Sequence, residues 1–290
     1  MPPRNQAGKM LYMNMRPMPL LMSGILFPLG AAVLLAGCVA DRTAADAAPM
    51  ARMASAAQAP NTLSKADVAA GWRLLWDGKT TAGWRGAKLD RFPERGWEIR
   101  DGVLSVLPSG GAESRNGGDI VTIEEFTEFE LSLEFRITPG ANSGIKYFVD
   151  TGLQRGEGSA IGLEFQILDD ERHPDAKLGR DGNRTIGSLY DLIPARNLAN
   201  PAQGKAVNPP GEWNHARIVV RGANVEHWLN GVKVVAFQRG SQPFRELVSL
   251  SKYKSWPAFG ERPKGPILLQ DHGDLVSFRS IKLRNLAGAR

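Results

Sequence analysis

The chain is 290 residues long, 42% hydrophobic and 23% charged, the make-up of an ordinary soluble globular protein. Its formal charge of +6 is inflated at one end, because Arg4, Lys9 and Arg16 lie in a first 37 residues that hold no acid. The 36 basic residues less these three leave 33 against 30 acids, too mild and interspersed a balance for a nucleic-acid surface, and a single cysteine excludes an internal disulfide.

The first element is an apolar run behind a basic start, "PLLMSGILFPLGAAVLLAGC", ending in Leu35-Ala36-Gly37-Cys38. It resembles the lipobox of bacterial lipoproteins. That resemblance implies a signal peptide over residues 1–37, cleavage before Cys38, and lipidation of that thiol. Val39 follows, where Asp would resemble the inner-membrane retention signal. The expected location is therefore the cell envelope, lipid-anchored to the outer membrane and facing the periplasm. Residues 38–62 are Ala-rich, carry Pro49 and Pro60, and show no apolar period, so they read as a flexible tether.

The folded domain is expected over residues 63–286. "TLSKADVAAGW" predicts a short helix with Ser64 as N-cap and Asp67 in the capping-box position. Beyond it the grammar is that of strands. "GWEIRDGVLSV" turns at Asp101-Gly102. "FELSLEFRI" sets Leu131, Leu133, Phe135 and Ile137 on one face and Ser132, Glu134 and Arg136 on the other. "ARIVVRGANVEHWLNGVKVVAF" is a run of strands with a type I′ turn at Asn230-Gly231. Short strands separated by Gly, Pro, Asn and Asp clusters, without long helical periodicity, predict an all-β jelly-roll sandwich of two antiparallel sheets.

Two stretches break the alternation. In "AIGLEFQILDDERHPDA", Gly162, Glu164, Gln166 and Leu168 share one face, with Asp169, Asp170 and His173 in the loop beyond. In "GPILLQDHGDLVSFRSIKLRNL", Gln270 and His272 share a face and Asp271 points the other way. Such polar rows on a jelly-roll sheet suit a sugar-binding groove; a solvated strand face with a satisfied histidine fits the spacing equally well.

"GWRLLWDGKTTAGW" (Gly71 to Trp84) resembles the opening signature of the 3-keto-disaccharide hydrolase family. Further matches follow in order: "GGDIVTIEEFTEFELSLEFRI", "GANSGIKYFV", "GLEFQILDD", "GEWNHARIVV", "HWLNG" and "ILLQDHGDLVSFRSIKLRNL". Ser280 stands where the family commonly has Asn, and the lysine of "NSGIKYF" marks a subgroup. The resemblance implies a concanavalin A-like jelly roll with 3-keto-glucoside 1,2-lyase and 3-keto-2-hydroxy-glucal hydratase activity. A C3 ketone acidifies the C2 proton. A base removes it, the C1 oxygen leaves by β-elimination, and water adds back. No redox cofactor is required; a separate sugar 3-dehydrogenase would supply the ketone.

Such a site needs a base, an acid and a stabiliser for the enolate oxygen. Glu164 and His272 are the candidates for base and acid, in either order. Arg136 and Lys146 are candidates for the enolate, and Asn142, Gln166 and Gln270 for sugar hydroxyls. Asp169, Asp271 and His272 could hold a divalent metal that polarises the ketone. Tyr190-Asp191 and "SKYKSW" (Ser251 to Trp256) are expected at the rim, with Trp256 stacking on a sugar or packing in the core. Two other classes fit the same fold, a non-catalytic carbohydrate-binding module and a conventional two-carboxylate glycosidase.

Overall fold

A computed structural model describes residues 58–288, apart from positions 155 and 257. Cys38, its signal segment and most of the expected tether lie outside the described residues. The chain opens with helix α1, Lys65–Ala69, capped as its sequence predicts: the Ser64 hydroxyl accepts from the Asp67 N–H and the Asp67 carboxylate accepts from the Ser64 N–H. Ahead of it, Asn61 donates to the Gly102 carbonyl (2.8 Å) and accepts from the Ser280 N–H (2.8 Å), joining the segment before α1 to the domain.

Thirteen strands follow: β1 (Arg73–Leu74), β2 (Trp84–Gly86), β3 (Trp97–Arg100), β4 (Val103–Val106), β5 (Ile120–Thr122), β6 (Phe129–Ile137), β7 (Asn142–Asp150), β8 (Ile161–Leu168), β9 (Asn214–Arg221), β10 (Asn224–Leu229), β11 (Val232–Gln238), β12 (Leu268–Leu269) and β13 (Val276–Asn285). They form two antiparallel sheets. The larger runs β11-β10-β9-β6-β13-β4-β3, with β1 also on β13; the smaller runs β2-β5-β12-β7-β8. The fold is all-β, a concanavalin A-like jelly-roll sandwich.

Turn chemistry matches the sequence. Asp101-Gly102 joins β3 to β4 and Asn230-Gly231 joins β10 to β11, with all four residues at positive φ, as a type I′ hairpin requires. Helix α2, Gln242–Ser249, was not anticipated. Phe244, Leu247 and Val248 fall at i, i+3 and i+4 and pack on the core, one short apolar triplet behind a local start signal: Ser241 accepts from the Phe244 N–H and a proline sits in the first turn. Its one buried residue, Phe244, stacks on Phe237 at 5.7 Å.

Between the sheets the inward residues interlock. Phe135 of β6 meets Phe165 of β8 edge-on at 6.4 Å, and Phe129 meets Tyr147 of β7 at 6.3 Å. His227 is fully buried among them. Its Nδ1–H donates to the Gly187 carbonyl (3.1 Å), and its Nε2 accepts from the Tyr147 hydroxyl (2.8 Å). Burial pushes its pKa down to about 4, so it stays neutral. Among the described residues no helix is long and apolar enough to cross a membrane.

Candidate functional site: the covered outer face of the smaller sheet

Register places the polar row. Across β7 and β8, Lys146 opposes Glu164 and Gly144 opposes Gln166; Leu268 of β12 lies on the other side of Lys146. The Gln270 N–H donates to the Gly144 carbonyl (3.0 Å), which carries the ladder past the end of β12. Ile145, Tyr147, Leu163, Phe165 and Ile167 fill the core from these strands, so alternation turns Lys146, Glu164, Gln166 and Gln270 outward. They do not meet bulk water there. Lys146, Glu164 and Gln270 are each 5% exposed, because flanking loops cover the sheet.

Under that cover lies a pocket of about 20 Å³ lined by Glu113, Lys146, Ser159, Glu164, Lys252 and Gln270, with other residues. Glu113 also lines a neighbouring open cleft of about 1160 Å³, edged by Lys88, Arg91, Arg95 and Arg115. The smaller pocket gathers the titratable side chains and the larger cleft has room for sugar rings.

The carboxylate of Glu164 receives no hydrogen bond from the described residues. Its place is made by a missing atom: a Cβ on Gly144 would fall 2.3 Å from Glu164 Oε1. Burial pushes the Glu164 pKa up, against the pull of Lys146 and Lys252 and with some help from Glu113 and Asp119. Lys146 is equally buried. Burial alone would lower its pKa, but Asp119, Glu164 and Glu113 outweigh it, and Lys146 stays charged. Its ammonium lies 3.5 Å from Asp119 and donates to the Ala160 carbonyl at 3.2 Å. Asp119 is held in turn by the Ser114 hydroxyl (3.0 Å) and by the N–H groups of Asp271 (3.0 Å) and Ala160 (3.3 Å).

Along the row, Gln270 Nε2 donates to Glu113 (3.3 Å), and the other oxygen of Glu113 lies 3.9 Å from His272 Nε2. Next come His173, whose ring centroid is 6.0 Å from that of His272, and Asp274, whose carboxylate accepts the Asn142 N–H at 3.0 Å. The rim beside this end is braced. Tyr190 donates to Asp175 (2.6 Å), Arg184 bridges Asp175 and Asp191 (both 2.7 Å), and Lys252 Nζ sits 3.9 Å over the Tyr190 ring.

Most expected site residues meet here: Asn142, Lys146, Glu164, Tyr190, Gln270 and His272. Gln166 points the same way but is 1% exposed, with its side-chain oxygen accepting from the Ile167 N–H. Arg136 is a correction. It is on the outward face of the larger sheet, the other side of the sandwich, where its guanidinium lies 4.7 Å from the Trp213 ring. Asp169 and Asp271 are also corrected as metal ligands. Asp169 accepts from the N–H groups of Gly140, Glu171 and Arg172, and Asp271 from those of Gly118 and Gly273, so both carboxylates shape loops. Trp256 packs against the core beside Tyr253 at 5.9 Å. The expected site omits Glu113, Asp119, His173 and Asp274. Asp274 sits two residues beyond His272 and Asp119 follows Gly117-Gly118, signals that only register turns into proximity.

A jelly roll whose outer sheet face holds a buried carboxylate with no hydrogen-bond donor among the described residues, an ammonium and amides beside an open cleft fits a carbohydrate-active protein. The sequence profile of the 3-keto-alpha-glucoside-1,2-lyase-like domain matches residues 71–284, and the chain belongs to that family. It is 39% identical over 236 residues to the 3-keto-disaccharide hydrolase of Bacteroides thetaiotaomicron, covering 74% of this chain and 79% of that protein. Two crystal structures from Parabacteroides distasonis, both provisionally named glycosyl hydrolases, are also similar. One is 29% identical with a TM-score of 0.66, covering 79% of this chain and 100% of that one. The other is 31% identical with a TM-score of 0.54, covering 74% and 99%.

Proposed function

We propose that the protein cleaves 3-keto-glycosides by removing the C2 proton, expelling the C1 oxygen by β-elimination, and hydrating the resulting 3-keto-2-hydroxy-glucal. The observation that carries this reading is Glu164: buried, without a hydrogen-bond donor among the described residues, and set over Gly144 beside a charged lysine. A base for a carbon acid must reach the proton without being solvated. Burial makes Glu164 readier to accept a proton, and Lys146 keeps it from being protonated throughout. Glu164 takes the proton from C2 and returns one to C2 in the hydration step. The departing oxygen gains a proton as the entering water loses one, so the sum is hydrolysis. Gln270 and Asn142 are assigned to sugar hydroxyls. The C3 oxygen is assigned to the imidazole end of the row, where His272 and His173 stand.

The test is incubation with a 3-keto-disaccharide in D₂O beside the unoxidised parent sugar. The expected products are keto-sugar labelled at C2 and an untouched parent. Cleavage with labelling no faster than in enzyme-free controls overturns the mechanism, and cleavage of the parent would mark a conventional glycosidase. A binding module would cleave neither. The substrate implies a preceding step of a defined class, oxidation of a sugar C3 hydroxyl to a ketone. The location proposed from the lipobox is the envelope, with Cys38 lipidated. Cys38→Ala should abolish lipid attachment and leave the protein soluble or unprocessed, since stable anchoring of the mature chain needs more than one acyl chain.

A further inference from the structure

We infer that His173, His272 and Asp274, with the side-chain oxygen of Asn142, form a binding site for one divalent first-row transition-metal ion, of the zinc or manganese kind. The three ligand atoms of the histidines and the aspartate lie within 4.8 Å of one another, each residue half-buried. They come from separate places in the chain. His173 is in the loop after β8, His272 and Asp274 are between β12 and β13, and Asn142 opens β7. One hydrogen bond ties two of them, from the Asn142 N–H to Asp274.

A second observation points to a cation. His272 Nδ1 and Asn142 Oδ1 are buried with no hydrogen-bond partner among the described residues, and Asn142 as a whole is 5% exposed. Gln270 Oε1, nearby in the row, is likewise without a partner. Buried acceptors left unmatched are rare and costly. Here their residues adjoin the Asp274 and Glu113 carboxylates, so the region is rich in lone pairs and poor in hydrogens. One sugar hydroxyl has one hydrogen and serves one acceptor. One cation serves several at once.

The donor set selects the ion. Two imidazoles with oxygen donors suit zinc, manganese, iron(II), cobalt or nickel, whereas calcium and magnesium prefer oxygen alone. One outer partner fits as well. His272 has its Nε2 toward Glu113, the acidic backing common behind a ligating imidazole. The Nδ1 of His173 accepts the Asp175 N–H at 3.2 Å, so ligation through Nε2 requires the ring proton to pass to Nδ1 and this contact to open. Three protein ligands on a tetrahedral ion, or four on an octahedral one, leave coordination positions for substrate or water. The inference does not rest on the proposed reaction. Where that reaction holds, a bound ion supplies positive charge for the C3 oxygen.

The experiment reads metal, not turnover. The purified full-length protein is stripped with chelator and titrated with Co²⁺, following visible absorption and the metal-to-protein ratio. The expected result is saturation at one equivalent, displacement by Zn²⁺, and a raised unfolding temperature. His173→Ala, His272→Ala and Asp274→Asn should each weaken uptake by at least about 100-fold, since loss of an outer partner alone costs ~10–100-fold. Asp274→Asn keeps an oxygen for the Asn142 N–H, so it separates liganding from folding, and circular dichroism checks the other two. Arg136→Ala, on the far face, should bind like the wild type. No saturable uptake at micromolar Co²⁺ overturns the site. So does equal uptake in the three folded variants, or uptake lost in Asp169→Asn but kept in Asp274→Asn.

Discussion

The two outer faces of this sandwich are built by the same alternation and used in opposite ways. On the larger sheet every second residue of β6 is polar, and each charge of that strand has a partner. Glu130 is clasped by Arg217 and Arg284, Glu134 by Arg279 at 2.9 Å, and Trp213 is flanked by the guanidinium groups of Arg136 and Arg279. On the smaller sheet Glu164, Gln270 and Asn142 are covered about as deeply as Glu130 yet less satisfied: among the described residues no donor reaches the Glu164 carboxylate, and two amide oxygens are unmatched. A face that spends its polar groups on one another is structural. A face that holds them buried and unspent has kept them for a ligand.

The sharpest break in this comparison is catalytic. Glu164→Gln should lower turnover of a 3-keto-disaccharide by roughly two to four orders of magnitude, the usual worth of a general base. Arg136→Ala, which removes an equally prominent strand charge from the other face, should leave turnover within about twofold, since a distant surface change is near neutral. Equal losses in the two variants, or none in Glu164→Gln, would erase the distinction between the faces.

Gly144→Ala should come next. The new Cβ would overlap the Glu164 carboxylate at 2.3 Å, so the side chain must move. Displacing a catalytic group by about 1 Å can cost ~100-fold, and that loss is expected in kcat more than in KM. Retained kcat with a shifted unfolding temperature would mean that Gly144 serves packing alone.

Stability should separate the faces with opposite sign. Removing the carboxylate of Glu130, 3% exposed and holding two arginines, should cost about 2 kcal/mol as Glu130→Gln. Glu164→Gln should cost nothing at neutral pH and could stabilise. The folded Glu164 pKa lies above its ordinary 4.5, so the native state holds more protons than the unfolded chain as pH rises past that value. Stability from this group is therefore present below pH 4.5 and lost as pH climbs through the raised folded pKa. The variant should lack that decline, and its unfolding temperature should converge on the wild type toward acid. The kcat/KM of the wild type should rise with pH through the same raised pKa, as Glu164 becomes a carboxylate.

The alternation, both I′ hairpins and the capping box of α1 could be read from the sequence because each is set within a few residues. Glu164, Gln270 and His272 were also readable, as polar residues where strands should be plain. What could not be read was the sheet to which a polar face belongs. Arg136 and Glu164 are both exceptions on outward faces, and only pairing and the covering loops decide that one meets Trp213 and the other a closed pocket. Asp169 and Asp271 failed as metal ligands for a related reason. Acids at strand ends are drawn into capping backbone N–H groups, which spacing does not reveal, and the residues that converge instead, His173 and Asp274, come from two different loops.

The smallest expected effect lies on the structural face. In β13 the register with β6 shifts between Arg279 and Lys282, and Ser280, at the bulge, has φ 55°. That left-handed conformation strains most residues by roughly 1–2 kcal/mol, and Asn bears it better because its short amide bonds locally. Asn is also the residue that the family resemblance places here. Ser280→Asn should therefore stabilise the fold by about 0.5 kcal/mol, read as a small rise in unfolding temperature. The gain must exceed the loss of one long contact, the Asn61 N–H to Ser280 hydroxyl bond at 3.4 Å, and a bond that long contributes little. Turnover should not move, because β13 turns away from the pocket at this point. A drop in turnover without a drop in stability would tie this bulge to the opposite face, and the division of labour between the two sheets would fail at its least demanding test.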